Sequence, residues 1–216
     1  MNNFLISRTA FSQFFWNQIG YGTPLAYGIE QELEALREKA DYKTGSLSDQ
    51  DVYDLGGIVR YFKPTAVCEI GTFIGRSTHT IAANMDSGII WTCDMSNDLT
   101  LPAPLNPAVS IRQFPKTSST QMLGRATNDK QKFDMFYIDG RLSIEDVEYI
   151  MACEEMKGAL IVCDDFEGVE KGVANASVLM NALTQNGWEQ TLIYPRGNHK
   201  TAVIMPFNKV QFVTQV

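Results

Sequence analysis

The stretch Cys68–Glu69–Ile70–Gly71–Thr72–Phe73–Ile74–Gly75–Arg76–Ser77–Thr78 decides the fold. A short apolar strand ends in an acid, one glycine permits a tight turn, and a second opens a helix whose leading N–H groups point at whatever lies above the sheet. That is a nucleotide-cofactor turn, although two glycines alone also suit any strand-to-helix turn of an α/β protein. A second feature reinforces the first. Asp94 closes the next β-branched run, 23 residues beyond Gly71, near the ~20 expected of an acid that takes the hydroxyls of a ribose.

Outward from this turn, strand and helix alternate. Before it, Ser48 with Asp51 marks a helix start, Val52, Leu55, Ile58, Val59 and Phe62 recur at helical spacing, Pro64 ends the helix, and Ala66–Ile70 is the first strand. After it come a helix over Ser77–Met85, a strand over Ile89–Cys93 and a loop broken by Pro102, Pro104 and Pro107. The strand Val109–Phe114 and a polar helix near Ser118–Ala126 follow. Next are the strand Phe133–Ile138, a helix opened by Ser143 with Asp146, the strand Ala159–Cys163 and a helix over Val173–Gln185. Strand-helix units in series predict a doubly wound α/β fold, because parallel strands need crossovers and those crossovers bury both faces. The last two strands, Trp188–Tyr194 and Thr201–Met205, are joined by a link too short for a crossover helix, so they are expected to lie antiparallel.

Residues 1–45 stand apart. They are aromatic-rich, turn at Gly20–Tyr21–Gly22–Thr23–Pro24, and continue into a helix with Ile29, Leu33, Leu36 and Ala40 along one stripe. We expect a helical appendage over 1–45, either a lid or the surface of a homodimer, and a cofactor-binding domain over 46–216.

Composition bounds the partners. The chain has 216 residues, 18 Lys+Arg against 25 Asp+Glu, and a net charge of −7. With no basic run to neutralise phosphates, nucleic acid is not an expected partner. No apolar run approaches the ~20 residues of a membrane span, so no membrane partner and a cytoplasmic location are expected. Cys68, Cys93, Cys153 and Cys163 form no C-x-x-C pair and are expected as free thiols. With only His79 and His199, a Cys/His zinc cluster has almost no material.

Two further runs end in carboxylates: Phe133–Asp134–Met135–Phe136–Tyr137–Ile138–Asp139–Gly140 and Gly158–Ala159–Leu160–Ile161–Val162–Cys163–Asp164–Asp165. If the strands are neighbours, Asp139 and the Asp164/Asp165 pair converge, and oxygen-only ligands of this kind suit Mg²⁺ or another hard divalent cation. Alternation along a strand would instead turn only one of Asp164 and Asp165 inward.

Together these motifs resemble class I S-adenosylmethionine-dependent methyltransferases, in particular the small O-methyltransferases of the catechol and caffeoyl-CoA type and the related branch reading Ile-Asp-Gly-x-His at the fourth strand. The resemblance covers about Ser46 to Met205. It implies a Rossmann-like, mostly parallel seven-stranded sheet with an antiparallel last strand, S-adenosylmethionine as cofactor, and O-methylation of a small hydroxylated acceptor. Glu69, Gly71, Thr72, Gly75 and Ser77 would surround the methionine part. Asp94 would take the ribose, Phe114–Ser118 would lie near the adenine, and Asp139 would border the cofactor. Asp139, Asp164 and Asp165 match the family's metal positions, and Asp139 with Arg141 are the candidate catalytic residues, Arg141 as an anion contact. Where relatives carry Lys or His as a candidate base, this chain has Leu142. Competing readings are an NAD-dependent oxidoreductase, weakened by the lack of G-x-G-x-x-G, and a non-catalytic cofactor-binding partner protein, favoured by Leu142.

Overall fold

Why the chain leaves each strand where it does is set by local chemistry that the computed structural model makes explicit for residues 3–7, 27–43, 45–152, 158–164, 166, 173–194 and 201–206. Two units are distinguished, residues 9–118 and residues 1–8 with 119–216.

In the unit 9–118, helix α1 (Tyr27–Arg37) buries Ile29 and Leu33 of the expected stripe, while Leu36 is half-buried and Ala40 is buried beyond the end of the helix. Helix α2 (Asp49–Phe62) begins with a reciprocal cap: the Ser48 side chain accepts from the Asp51 N–H, and the Asp51 carboxylate accepts from the Ser48 N–H at 3.0 Å. It ends at Lys63, left-handed with φ 50°, one residue before Pro64. Val52, Leu55, Ile58 and Val59 are buried, and full burial of such a side chain contributes about 1.5–3 kcal/mol.

Strand β2 (Ala66–Ile70) is buried from Val67 through Ile70 without alternation, the mark of a strand covered on both faces. Helix α3 (Arg76–Asn84) leads to β3 (Gly88–Asp94), which runs parallel to β2 with Ile70 opposite Cys93. Strand β4 (Val109–Pro115) is parallel to β3, with Asp94 opposite Pro115. Only Val109 and Phe114 of β4 are buried, which fits its place outermost in this unit's order β2-β3-β4. The carboxyl ends of the three strands therefore form one edge. Ligands of open α/β sheets bind outside that edge.

In the unit 1–8 with 119–216, helix α4 (Ser119–Asp129) precedes β5 (Met135–Ile138), and helix α5 (Ile144–Ala152) leads to β6 (Leu160–Cys163). Both strands are buried throughout and pair in parallel, Ile138 opposite Cys163. Helix α6 (Val173–Gln185) is followed by β7 (Trp188–Tyr194) and β8 (Thr201–Pro206). Strand β8 is antiparallel to both β6 and β7, as the short link requires. The order is β1-β7-β8-β6-β5.

The fold is the expected α/β class, mostly parallel with an antiparallel last strand. One difference stands out. Residues 1–45 were expected to be helical, yet Asn3–Ser7 form strand β1, paired in parallel with β7 from Asn3–Gln190 to Ser7–Tyr194. Strand β1 thus adds an eighth described strand to the seven expected. A five-residue strand whose partner lies far along the chain has no local periodicity to betray it. The aromatic turn at 20–24 lies outside the described residues.

Candidate cofactor site

The turn leaving β2 is pinned to the end of β3. Gly71, at φ 101°, and Thr72 both donate their N–H to the Cys93 carbonyl, at 3.0 and 3.1 Å. Phe73 adopts a left-handed φ of 47°, which costs a non-glycine residue about 1–2 kcal/mol. Its N–H is thereby delivered to Asp94 Oδ2 at 2.8 Å. Gly75, at φ 84°, is the residue before α3 and provides no capping side chain. A Cβ there would lie 2.5 Å from Leu101 Cδ2. With no capping side chain, the first turn of α3 keeps backbone donors at the positive end of the helix dipole, a setting that favours a carboxylate.

Asp94 is the hub of this corner and is only 7% exposed. Its Oδ1 accepts from the N–H groups of Ser96 at 2.7 Å and Asn97 at 2.8 Å. Its Oδ2 takes the Phe73 N–H, with the Tyr42 hydroxyl 3.5 Å away. The Thr117 N–H donates to the Asp94 carbonyl at 3.0 Å and the Lys116 N–H to the Asn97 carbonyl at 3.1 Å, so the segment after β4 is tied to the same loop. Acid, glycine turn and the segment after β4 are thereby brought together at one corner.

Glu69 is wholly buried. The Thr78 hydroxyl donates to Oε2 at 2.5 Å, and Oε1 has no partner. Burial pushes the carboxyl up to about 7; the surrounding hydroxyls of Ser77, Thr78 and Thr92 pull it down, and the charge of Asp94 adds to the rise. Thr72 and Thr92 share a hydrogen bond of 2.5 Å between their hydroxyls. His79 is buried on α3, its Nε2 unpartnered, and burial lowers it to about 4. It is neutral at pH 7 and shut away from solvent.

The other candidate residues belong to the second unit. Asp139 and Asp164 follow the paired ends Ile138 and Cys163, and the Asp164 N–H donates to the Ile138 carbonyl at 2.9 Å. Asp164 Oδ1 accepts from the Thr201 hydroxyl at 3.1 Å. Two of the three expected metal-ligating acids therefore stand at neighbouring strand ends, while Asp165 lies outside the described residues. Among the described residues no group of three metal-ligating side chains forms. Arg141 is exposed, whereas Leu142 turns inward and is 4% exposed.

Four residues of the first unit were not singled out in the sequence. Tyr42 lies on Phe73 with ring centroids 4.5 Å apart and planes at 13°. Asn97 is 2% exposed, Thr92 bonds Thr72, and Met95 holds an apolar side chain 70% exposed beside Asp94. Met95 could have been found from its position after the acid. Tyr42 could not, since 52 residues separate it from Asp94.

No family model and no curated protein matches the chain. Solved structures do. An O-methyltransferase from Bacillus cereus in complex with S-adenosylhomocysteine superposes with a TM-score of 0.65 at 16% identity, over 90% of this chain and 96% of that one. The O-methyltransferase TomG from Streptomyces achromogenes, involved in tomaymycin synthesis and complexed with S-adenosylmethionine, gives 0.64 at 16% identity over 90% and 95%. The S-adenosylhomocysteine-bound methyltransferase PaMTH1 from Podospora anserina gives 0.60 at 14% over 91% and 92%. At these identities the likeness is one of fold: the chain has the class I methyltransferase fold.

Proposed function

We propose that the protein is an S-adenosylmethionine-dependent O-methyltransferase for a small hydroxylated acceptor, assisted by a divalent cation. The observation that carries this is the 2.8 Å hydrogen bond from Phe73 N–H to Asp94 Oδ2. It locks the glycine turn and the strand-end acid into one preformed corner. The residues suit each part of that cofactor. The side-chain-free start of α3 suits its carboxylate, the orphaned Glu69 Oε1 is an acceptor of the kind its ammonium needs, Asp94 suits its ribose, and Met95 offers apolar surface to a purine. Proteins of the same fold that bind S-adenosylmethionine or S-adenosylhomocysteine support the reading.

When bound, the cofactor supplies an electrophilic methyl group on a sulfonium. The protein's task is to hold acceptor and cofactor in line and to favour the acceptor oxyanion. Asp139 and Asp164 would hold the cation with Asp165 as the third acid, and such an ion lowers the pKa of a ligated hydroxyl. Arg141, an exposed guanidinium, is the candidate contact for an anionic acceptor. Leu142 supplies no base, so acceptors with acidic hydroxyls are favoured. The test is methyl transfer to a series of phenols, catechols and sugars with and without EDTA. Phenols and catechols are expected to outrun sugars, with turnover abolished by chelation. Full activity in excess EDTA contradicts the cation. A second reading, a cofactor-binding protein without turnover, is favoured by the buried Leu142 and would be upheld by tight S-adenosylhomocysteine binding with no methylation of any acceptor.

A further inference from the structure

The contacts around Asp94 close into a circuit that passes through the loop after α1. The Asn97 N–H donates to Asp94 Oδ1 at 2.8 Å, and Asn97 Oδ1 accepts the Asp41 N–H at 2.9 Å. Tyr42, the next residue, stacks on Phe73, whose N–H returns to Asp94 Oδ2. The loop is also held from outside. Lys116 Nζ lies 2.5 Å from Asp41 Oδ2 and donates to the Ser96 carbonyl, and Lys43 Nζ donates to the carbonyls of Arg37 at 2.8 Å and Glu38 at 2.6 Å. Tyr42 is thus a placed side chain.

Its hydroxyl stands 3.5 Å from Asp94 Oδ2, beyond the ~2.7–2.8 Å usual for O–H···O. The phenol flanks the carboxylate without saturating it. A third oxygen at ordinary hydrogen-bond distance from Asp94 Oδ2 can sit at ordinary distance from the phenol too, because three oxygens with sides of about 2.8, 2.8 and 3.5 Å make an open triangle. Asn97 adds an independent sign of a missing polar partner. Its Nδ2 is buried and has no acceptor, and it belongs to the residue that ties the Tyr42 loop to Asp94.

We propose that Tyr42 is a specificity-determining residue of the cofactor site, gripping one ribose hydroxyl jointly with Asp94. The ribose hydroxyl donates to Asp94 Oδ2 and accepts the phenolic proton, so a nucleoside lacking that hydroxyl leaves both groups unmatched. The inference rests on Asp94 being the ribose acid, and the experiment separates the two claims. Calorimetry with S-adenosylhomocysteine and its 2′-deoxy and 3′-deoxy forms is run on wild type, Tyr42→Phe and Asp94→Ala. Phenylalanine keeps the ring on Phe73 and removes only the hydroxyl. Tyr42→Phe is expected to weaken S-adenosylhomocysteine about three- to tenfold and to leave one of the two deoxy ligands bound as in wild type. Equal or tighter binding of S-adenosylhomocysteine by Tyr42→Phe overturns the proposal, as does the same loss on all three ligands. If Asp94→Ala binds like wild type, the ribose assignment itself fails. If Asp94→Ala is weak while Tyr42→Phe is unaffected, only the role of Tyr42 fails.

Discussion

The corner at Gly71–Gly75 and Asp94 and the strand ends at Asp139 and Asp164 are built from the same parts, an apolar strand closed by an acid, yet they differ in how their acids are held. Asp94 is buried and accepts three backbone N–H groups from two separate loops. Asp139 and Asp164 are half-buried, and the Asp164 carboxylate accepts from the Thr201 hydroxyl. An acid wired to backbone is preorganised for one ligand. An acid left half open can accept a cation and acceptors of differing shape. The difference teaches that the Asp94 corner is fixed by backbone hydrogen bonds, whereas the Asp164 carboxylate is held by a side chain and stands partly open.

The comparison can be broken most strongly at Leu142. If this side chain is structural, as its burial indicates, Leu142→Ala should lower unfolding free energy by about 2–5 kcal/mol in denaturant titration. An unchanged midpoint would show that Leu142 is not a packing residue despite its burial. The same burial bears on engineering a base there, since a lysine at 142 would have to leave the interior or shed its charge.

A second, smaller effect separates the two buried titrating groups of the cofactor corner. Glu69 is raised to about 7 in the folded protein, so between about pH 4.5 and 7 the folded state holds more protons and stability falls as pH rises. His79 is lowered to about 4, so between about pH 4 and 6.5 the unfolded state holds more protons and stability rises with pH. The two slopes oppose each other across their shared window, each limited to about 1.4 kcal/mol per pH unit. Glu69→Gln should expose the rising slope and His79→Leu the falling one. Parallel pH profiles for both variants and wild type would show that neither group titrates as its burial requires.

How much of this was legible follows from the range of the contacts. The strand Ala66–Ile70 and the helix Val173–Gln185 were readable to the residue because apolar spacing, glycine and proline are local signals. Asp94 was readable because its distance from the glycine turn is a chain distance. Strand β1 was not, because what makes Asn3–Ser7 a strand is pairing with β7 at the other end of the chain. Tyr42 was not, because a ring stacked across 31 residues of chain on Phe73 leaves no pattern in the sequence. Leu142 was readable as a missing base, but its burial, which turns a puzzling absence into a packing residue, needed the fold.

The central claim is that the corner around Asp94 binds the nucleoside of S-adenosylmethionine. Titration of S-adenosylhomocysteine into wild type and Asp94→Ala, with NAD in parallel, tests it most directly. The account predicts binding of S-adenosylhomocysteine and none of NAD, with affinity for S-adenosylhomocysteine falling about ten- to a hundredfold in the variant, the ~1.5–3 kcal/mol of a hydrogen bond to a charged group. Equal affinity in the two proteins, or preference for NAD, would contradict it.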